Sequence, residues 1–292
     1  MRIKPFAAVA VAVPLLAAPL AVLAPPALAT AGPPRVPAGT TAAWVVFDRQ
    51  AGRFVAARNA HRKYRSASVV KILIAIDYLE RRASVPREDA ALLKVMLRAS
   101  DDDAASAFWD RGGKGRIIVR MARKLGLSDT APPPASQPGF WGYTSLSAYD
   151  IVRTYRYLLD TADARVRDTI LGHLRQAAPC GTDGFDQTFG IPDAVPRPYA
   201  VKQGWSGFGA TPPTRCRDAK ALGAPVSWIA QRSTGSGVPD YGRPVLHTTG
   251  LVGKGERYVM AVLTAHPAGG TWSASVKRIT AIARGLYRDV TS

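Results

Sequence analysis

From Val69 to Ile76 every residue but one is apolar, and the exception is Lys71. A run that is apolar on all sides predicts an element buried all round rather than an amphipathic surface helix. With Asp77, Glu80, Arg81 and Arg82 ending the run, the pattern predicts a central helix from Ser68 to Arg82. A lysine inside it must be paired or neutralised, because an ammonium stripped of water is costly. Lys71 is then either a structural ion-pair partner or a base with a depressed pKa. Ser68 stands three residues earlier on the same helix face, which puts its hydroxyl within reach of the Lys71 amine. The helix start also offers Ser68 unpaired backbone N–H groups and the positive end of the dipole, both suited to developing negative charge. An acyl-transfer serine requires that arrangement. A serine that merely caps a core helix accounts for Ser68 as well.

The rest of the 292 residues sets the context for this helix. Met1, Arg2 and Lys4 open on positive charge, Phe6 to Leu23 is uncharged, and Ala27-Leu28-Ala29 offers a small-x-small cleavage site. Residues 1–29 are read as a signal peptide cleaved after Ala29, giving a secreted protein. An uncleaved membrane anchor is the competing reading, opposed by Pro14, Pro19, Pro25 and Pro26. No cysteine stands near the site to take a lipid. Residues 30–41 read as a Pro-rich linker and 42–292 as one domain with a real core. The formal charge of +18 suits work beside an anionic cell envelope. Nucleic acid is set aside, because the basic residues are scattered without a zinc-finger spacing or recognition motif. The two cysteines, Cys180 and Cys216, are expected to pair in an oxidising compartment. Four histidines without a His-Glu-x-x-His leave little from which to build a metal site, so no metal and no cofactor are expected. The expected state is a monomer.

Strand patterns occur at both ends of the chain. Thr41 to Asp48 and Arg53 to Ala60 form a hairpin signal across Arg49 to Gly52, and Tyr199 to Trp205, Pro244 to Val252 and Glu256 to Ala265 follow late. Between them lie helical patterns at Pro86 to Ala99, Ala104 to Trp109, Arg116 to Leu125, Ala148 to Leu159 and Asp163 to Ala177, with a terminal helix from Trp272 to Tyr287. Asp129 to Tyr143 is a loop rich in Pro and Gly. The fold class is therefore α+β: an antiparallel sheet flanked by helices, with an inserted all-helical lobe. The α/β part spans 42–82 and 195–292, the lobe 83–194.

Three separated signals line up along this frame: Ser68-x-x-Lys71, then Ser100-Asp101-Asp102 after a helix, then Lys202-Gln203-Gly204 on a strand. In order and in context the set resembles the class A beta-lactamase and penicillin-binding-protein superfamily of D-Ala-D-Ala peptidase-like serine hydrolases. The resemblance covers essentially the whole exported part. It implies acyl transfer on beta-lactams or D-alanyl cell-wall peptides, with Ser68 as nucleophile and Lys71 as its proton acceptor. It further implies Ser100 as the donor to the departing nitrogen, Lys202 as the cation near the substrate carboxylate, and the backbone N–H groups of Ser68 and Trp205 as oxyanion donors, with Gly204 allowing close approach.

The sequence departs from that pattern in three places. Asp102 replaces an asparagine and either pairs with Lys71 or faces solvent. Gln203 replaces a Thr or Ser, so a hydroxyl for the substrate carboxylate is missing; the arginine that the resemblance implies for that carboxylate also lacks a match, with His247 or Arg243 as possible substitutes. From Thr130 to Tyr149 there is no Asp or Glu to activate a deacylating water. The expectation is a serine acyl-enzyme with slow turnover. Its rivals are a non-catalytic peptidoglycan-binding module of the same fold and a Ser-His-Asp hydrolase of another fold, the latter opposed by the lack of a Gly-x-Ser-x-Gly elbow.

Overall fold

The computed structural model describes residues 33–216, 239 and 242–292. The proposed leader, the start of the linker and most of the insertion after Cys216 lie outside the described residues. The strands are β1 (Thr41–Asp48), β2 (Arg53–Arg58), β3 (Tyr64–Arg65), β4 (Ser145–Leu146), β5 (Tyr199–Ser206), β6 (Val245–Val252) and β7 (Tyr258–Ala265). The helices are α1 (Lys71–Glu80), α2 (Arg87–Arg98), α3 (Asp102–Gly112), α4 (Gly115–Leu125), α5 (Ala148–Asp160), α6 (Ala164–Arg175), α7 (Ile191–Ala194) and α8 (Trp272–Thr291). Five strands form one sheet in the order β2-β1-β7-β6-β5, every neighbouring pair antiparallel, and β3 pairs with β4 apart from it.

The side-chain period of two explains how one sheet carries two cores. In β1, Ala43, Val45 and Phe47 enter one cluster with α1, α5 and the helical lobe, while Ala42, Trp44 and Val46 enter a second with α8. In β7, Val259, Ala261 and Leu263 take the first side, and Tyr258, Met260 and Val262 the second. Helices therefore cover both faces, and β1, β6 and β7 are buried almost without interruption. Helix α1 is buried from Lys71 through Leu79, as its unbroken apolar run requires.

Local signals set the helix ends. Asp101, Ser147, Asp163 and Thr271 each accept a backbone N–H at the start of α3, α5, α6 and α8, satisfying donors that the helix cannot. Gly126 closes α4 in the left-handed conformation at φ 66°. One expectation needs refining: the helix does not begin at Ser68. Residues Ala67–Val70 form a 3₁₀ turn that feeds α1, with Ala67 itself at φ 44°.

Candidate active site

Ser68 sits in that 3₁₀ turn and lines an open cleft between the lobe and the end of β5. The turn is held from behind, where Ser66 N–H donates to the Thr144 carbonyl at 2.7 Å and the Ser66 hydroxyl reaches the carbonyls of Trp141 and Gly142. Ala67, just before Ser68, and Ser100, at φ 57°, both occupy the left-handed region that non-glycine residues avoid. Each costs on the order of 1–3 kcal/mol, and such outliers cluster where function over-determines the backbone.

The three separated motifs meet here. Lys71, fully buried, donates from Nζ to the Ser100 carbonyl at 2.5 Å, to Asp102 Oδ1 at 2.6 Å and to Ser100 Oγ at 3.4 Å, and lies 4.6 Å from the centre of the Trp141 ring. Lys202, also buried, donates to the same Ser100 Oγ at 2.8 Å and to the Gln203 carbonyl at 2.9 Å. Ser100 thus bridges two lysines. Burial, and after it the charge of Lys71, pushes the Lys202 amine well below the usual lysine range. Asp102 realises both sequence alternatives: it pairs with Lys71 while its side chain stays 37% exposed at the cleft. Ser68 has no hydrogen bond to Lys71 among the described residues, because all the Lys71 donors are committed on the Ser100 and Asp102 side.

Gly204 brings β5 against the serine turn. A Cβ there would lie 3.1 Å from the Ser66 carbonyl oxygen and 3.3 Å from the Ser68 nitrogen, so the approach needs a residue without a side chain. Gln203 is a correction. It lies opposite Lys202 in the strand alternation, so its amide enters the other layer and donates to the carbonyls of Gln187 and Phe189, away from the cleft. His247 and Arg243 are corrected too. His247 is buried on the Arg65 carbonyl at 2.8 Å, with burial lowering its pKa to about 4. Arg243 is spent on the carbonyls of Gly39, Ala265 and His266.

Trp205 lines the cleft and donates from Nε1 to Asp183 Oδ2 at 2.9 Å. Asp183 is the cleft residue that the sequence reading missed. Its only signal is its place between Gly181 and Gly184 beside Cys180, a tight turn with a carboxylate at its tip. The Cys180–Cys216 disulfide forms as expected and joins the two walls, the Asp183 turn and the segment after β5. The backbone N–H of Cys216 adds a bond to the Gly184 carbonyl at 2.9 Å. The Asp129 to Tyr143 loop contributes Phe140, Trp141 and Tyr143 to the opposite wall and no carboxylate. Asp129 itself is tied to His61 and to the Ser147 hydroxyl, each at 2.8 Å. Among the described residues, no cluster of His, Cys, Asp and Glu could hold a metal ion, and no helix is long and apolar enough to cross a membrane.

No family model matches the sequence. The chain is 35% identical over 238 residues to the protein named "Putative lipoprotein LppW" in Mycobacterium tuberculosis and in Mycobacterium bovis, covering 79% of this chain and 65% of theirs. A class A beta-lactamase from Mycobacterium abscessus superposes with a TM-score of 0.59 at 19% identity, over 87% of this chain and 95% of that one. PBP-A superposes with a TM-score of 0.59 at 16% identity, over 87% of this chain and 91% of that one. A beta-lactamase from Streptomyces albus G gives a TM-score of 0.57 at 18% identity, over 86% and 94%. The single antiparallel sheet covered by helices on both faces, the inserted lobe and these superpositions agree: the chain has the fold of class A beta-lactamases and of PBP-A.

Proposed function

We propose that the protein is an exported serine acyl-transfer hydrolase that works through an acyl-enzyme on Ser68, with beta-lactams or D-alanyl cell-wall peptides as acyl donors. One observation carries the reading: Ser68 opens on the cleft directly beside the continuous chain Asp102–Lys71–Ser100–Lys202. Ser68 Oγ attacks the carbonyl carbon, the C–N bond breaks, and the departing nitrogen takes a proton delivered through Ser100. The serine proton passes to the lysine pair, in which burial holds the Lys202 amine well below the usual lysine range. The oxyanion is received by the Ser68 and Trp205 backbone N–H groups. β5 is an edge strand, the Gln203 carbonyl accepts from Lys202, and by the two-residue period the Trp205 backbone faces the same side as that of Gln203. Water completes the cycle slowly, because the loop from Asp129 to Tyr143 brings no free carboxylate to the acyl group. A positioned base is worth about 100- to 10,000-fold.

Export is proposed from residues 1–29, and a mycobacterial relative named as a lipoprotein supports an extracytoplasmic place. The test is incubation with a fluorescent penicillin followed by intact mass. The expected result is a long-lived adduct that Ser68→Ala abolishes, and labelling that survives Ser68→Ala refutes the reading. A second reading, a non-catalytic peptidoglycan-binding module, is favoured by one feature: the Lys71 donors face Asp102 and Ser100 rather than Ser68. An unlabelled wild type selects it.

A further inference from the structure

The chain carries a formal charge of +18, yet the described residues lining the Ser68 cleft include two carboxylates, Asp102 and Asp183, and no lysine, arginine or histidine. The nearby cations are sealed behind the wall. Lys71 and Lys202 are 0% and 1% exposed, with their donors spent on Asp102, on Ser100 and on the Gln203 carbonyl. Asp102 is paired directly with Lys71, whereas at Asp183 the attraction of that same lysine is outweighed by the neighbouring Asp102 carboxylate. The Asp183 oxygens accept from the Phe185 backbone N–H at 3.1 Å and the Trp205 indole N–H at 2.9 Å, both neutral, and no ion pair reaches it among the described residues. Burial, and with it the charge of Asp102, pushes the Asp183 carboxyl up. Two further walls are aromatic: Phe185 and Trp205 beside Asp183, and the stacked pair Phe140 and Tyr143 across the cleft, their centroids 5.4 Å apart. Aromatic faces attract cations, and a desolvated carboxylate attracts them further.

We infer that the cleft selects an acyl donor bearing a protonated amine, which Asp183 and the Trp205 wall hold while Ser68 faces the carbonyl. The inference rests on the acyl-transfer reading for the identity of the ligand but not for its charge. A bound ammonium supplies Asp183 with a direct ion-pair partner, whereas a second anionic group on the donor meets no open cation among the described residues of the cleft.

The test uses a penicillin with a free primary amine on its side chain and the same penicillin acetylated on that amine. The two share one reactive core and differ in a single charge. Binding to the Ser68→Ala variant, followed by tryptophan fluorescence, is expected to be at least about tenfold tighter for the amine form, a difference of about 1.4 kcal/mol. The ratio is expected to fall to near one in Ser68→Ala/Asp183→Asn. Equal binding of the two penicillins by Ser68→Ala overturns the inference, as does a preference that survives the loss of Asp183. Each ratio is taken on one sample, so a reduced folded fraction cancels. If wild type forms no adduct with either penicillin, acyl transfer is refuted, while the binding ratio still decides the preference for charge.

Discussion

An ammonium has three donors, and Lys71 directs its recorded bonds to Asp102 and to the two oxygens of Ser100. Asp102 is therefore the residue that decides whether Lys71 is available to Ser68. Asp102→Asn weakens that hold, and the expected result is a rise in the rate of penicilloylation of at least about tenfold, measured by stopped labelling and gel fluorescence. An unchanged or lower rate means that Asp102 assists acylation instead. Gly204 gives a second prediction. Gly204→Ala presses a methyl group onto Ser66, Ser68 and Val69, so it is expected to cost about 1–3 kcal/mol in denaturant unfolding and to slow labelling. Within the candidate site, Ser68 and Lys71 were legible because a lysine in an unbroken apolar run, three residues after a serine, demands a reason, whereas Ser100 and Lys202 were legible only through the order of the three motifs and the resemblance that order carries. Gln203 was misplaced because motif adjacency was allowed to outweigh strand alternation, which sends neighbours to opposite faces. Asp183 was missed because a single aspartate in a Gly-rich turn looks like ordinary turn chemistry. Only the folded chain shows the turn pressed against Trp205.

Among the elements, α1 depends on how its buried polar groups are satisfied. Its Asp77 is held by Arg120 of α4 through paired bonds of 2.7 and 2.8 Å, and the same guanidinium donates to the Gly112 carbonyl at the end of α3. One side chain thus ties α1 to α3 and α4 of the lobe. Arg120→Ala strands a carboxylate that is 2% exposed, leaving it Arg81 at 3.6 Å among the described residues, so a loss of about 3 kcal/mol in urea unfolding is expected. The disulfide acts on the cleft walls rather than on the core. In the chain-entropy model a bridge across a separation of 36 residues contributes about 3–4 kcal/mol. Cys180→Ser/Cys216→Ser is expected to lower the melting temperature and to loosen Trp205, read as a red shift in its emission. The long helices and strands were legible because apolar periodicity and caps agreed along their length. The short β3–β4 pair and the single turn of α7 were not, since two to four residues carry too little pattern to separate them from loop.

At the scale of the whole molecule, buried histidines set the response to acid. Burial lowers the His247 pKa from 6.5 to about 4 and that of His266 to about 3. In the unfolded chain both take up protons near pH 6.5, while in the folded chain they stay neutral. Their contribution is therefore complete above about pH 6.5 and is lost as the pH falls toward 4, a cost of about 3 kcal/mol for His247 alone. Urea midpoints measured from pH 7.5 to 4.5 are expected to fall, and His247→Gln to flatten the slope. A midpoint independent of pH in that window excludes these histidines as its source. The sheet order has a different kind of consequence. β1, among the first elements made, hydrogen-bonds along its whole length to β7, which lies more than two hundred positions later, and β7 also separates β1 from β6 and β5. The sheet has no centre until the last strand emerges. During synthesis the lobe helices can form locally, but β1 and β2 wait as an unfinished edge, and the serine turn has no β5 to rest against. The chain therefore acquires its cleft only after nearly all of it has been made, so a polypeptide interrupted before β7 carries every motif of the site and none of its geometry.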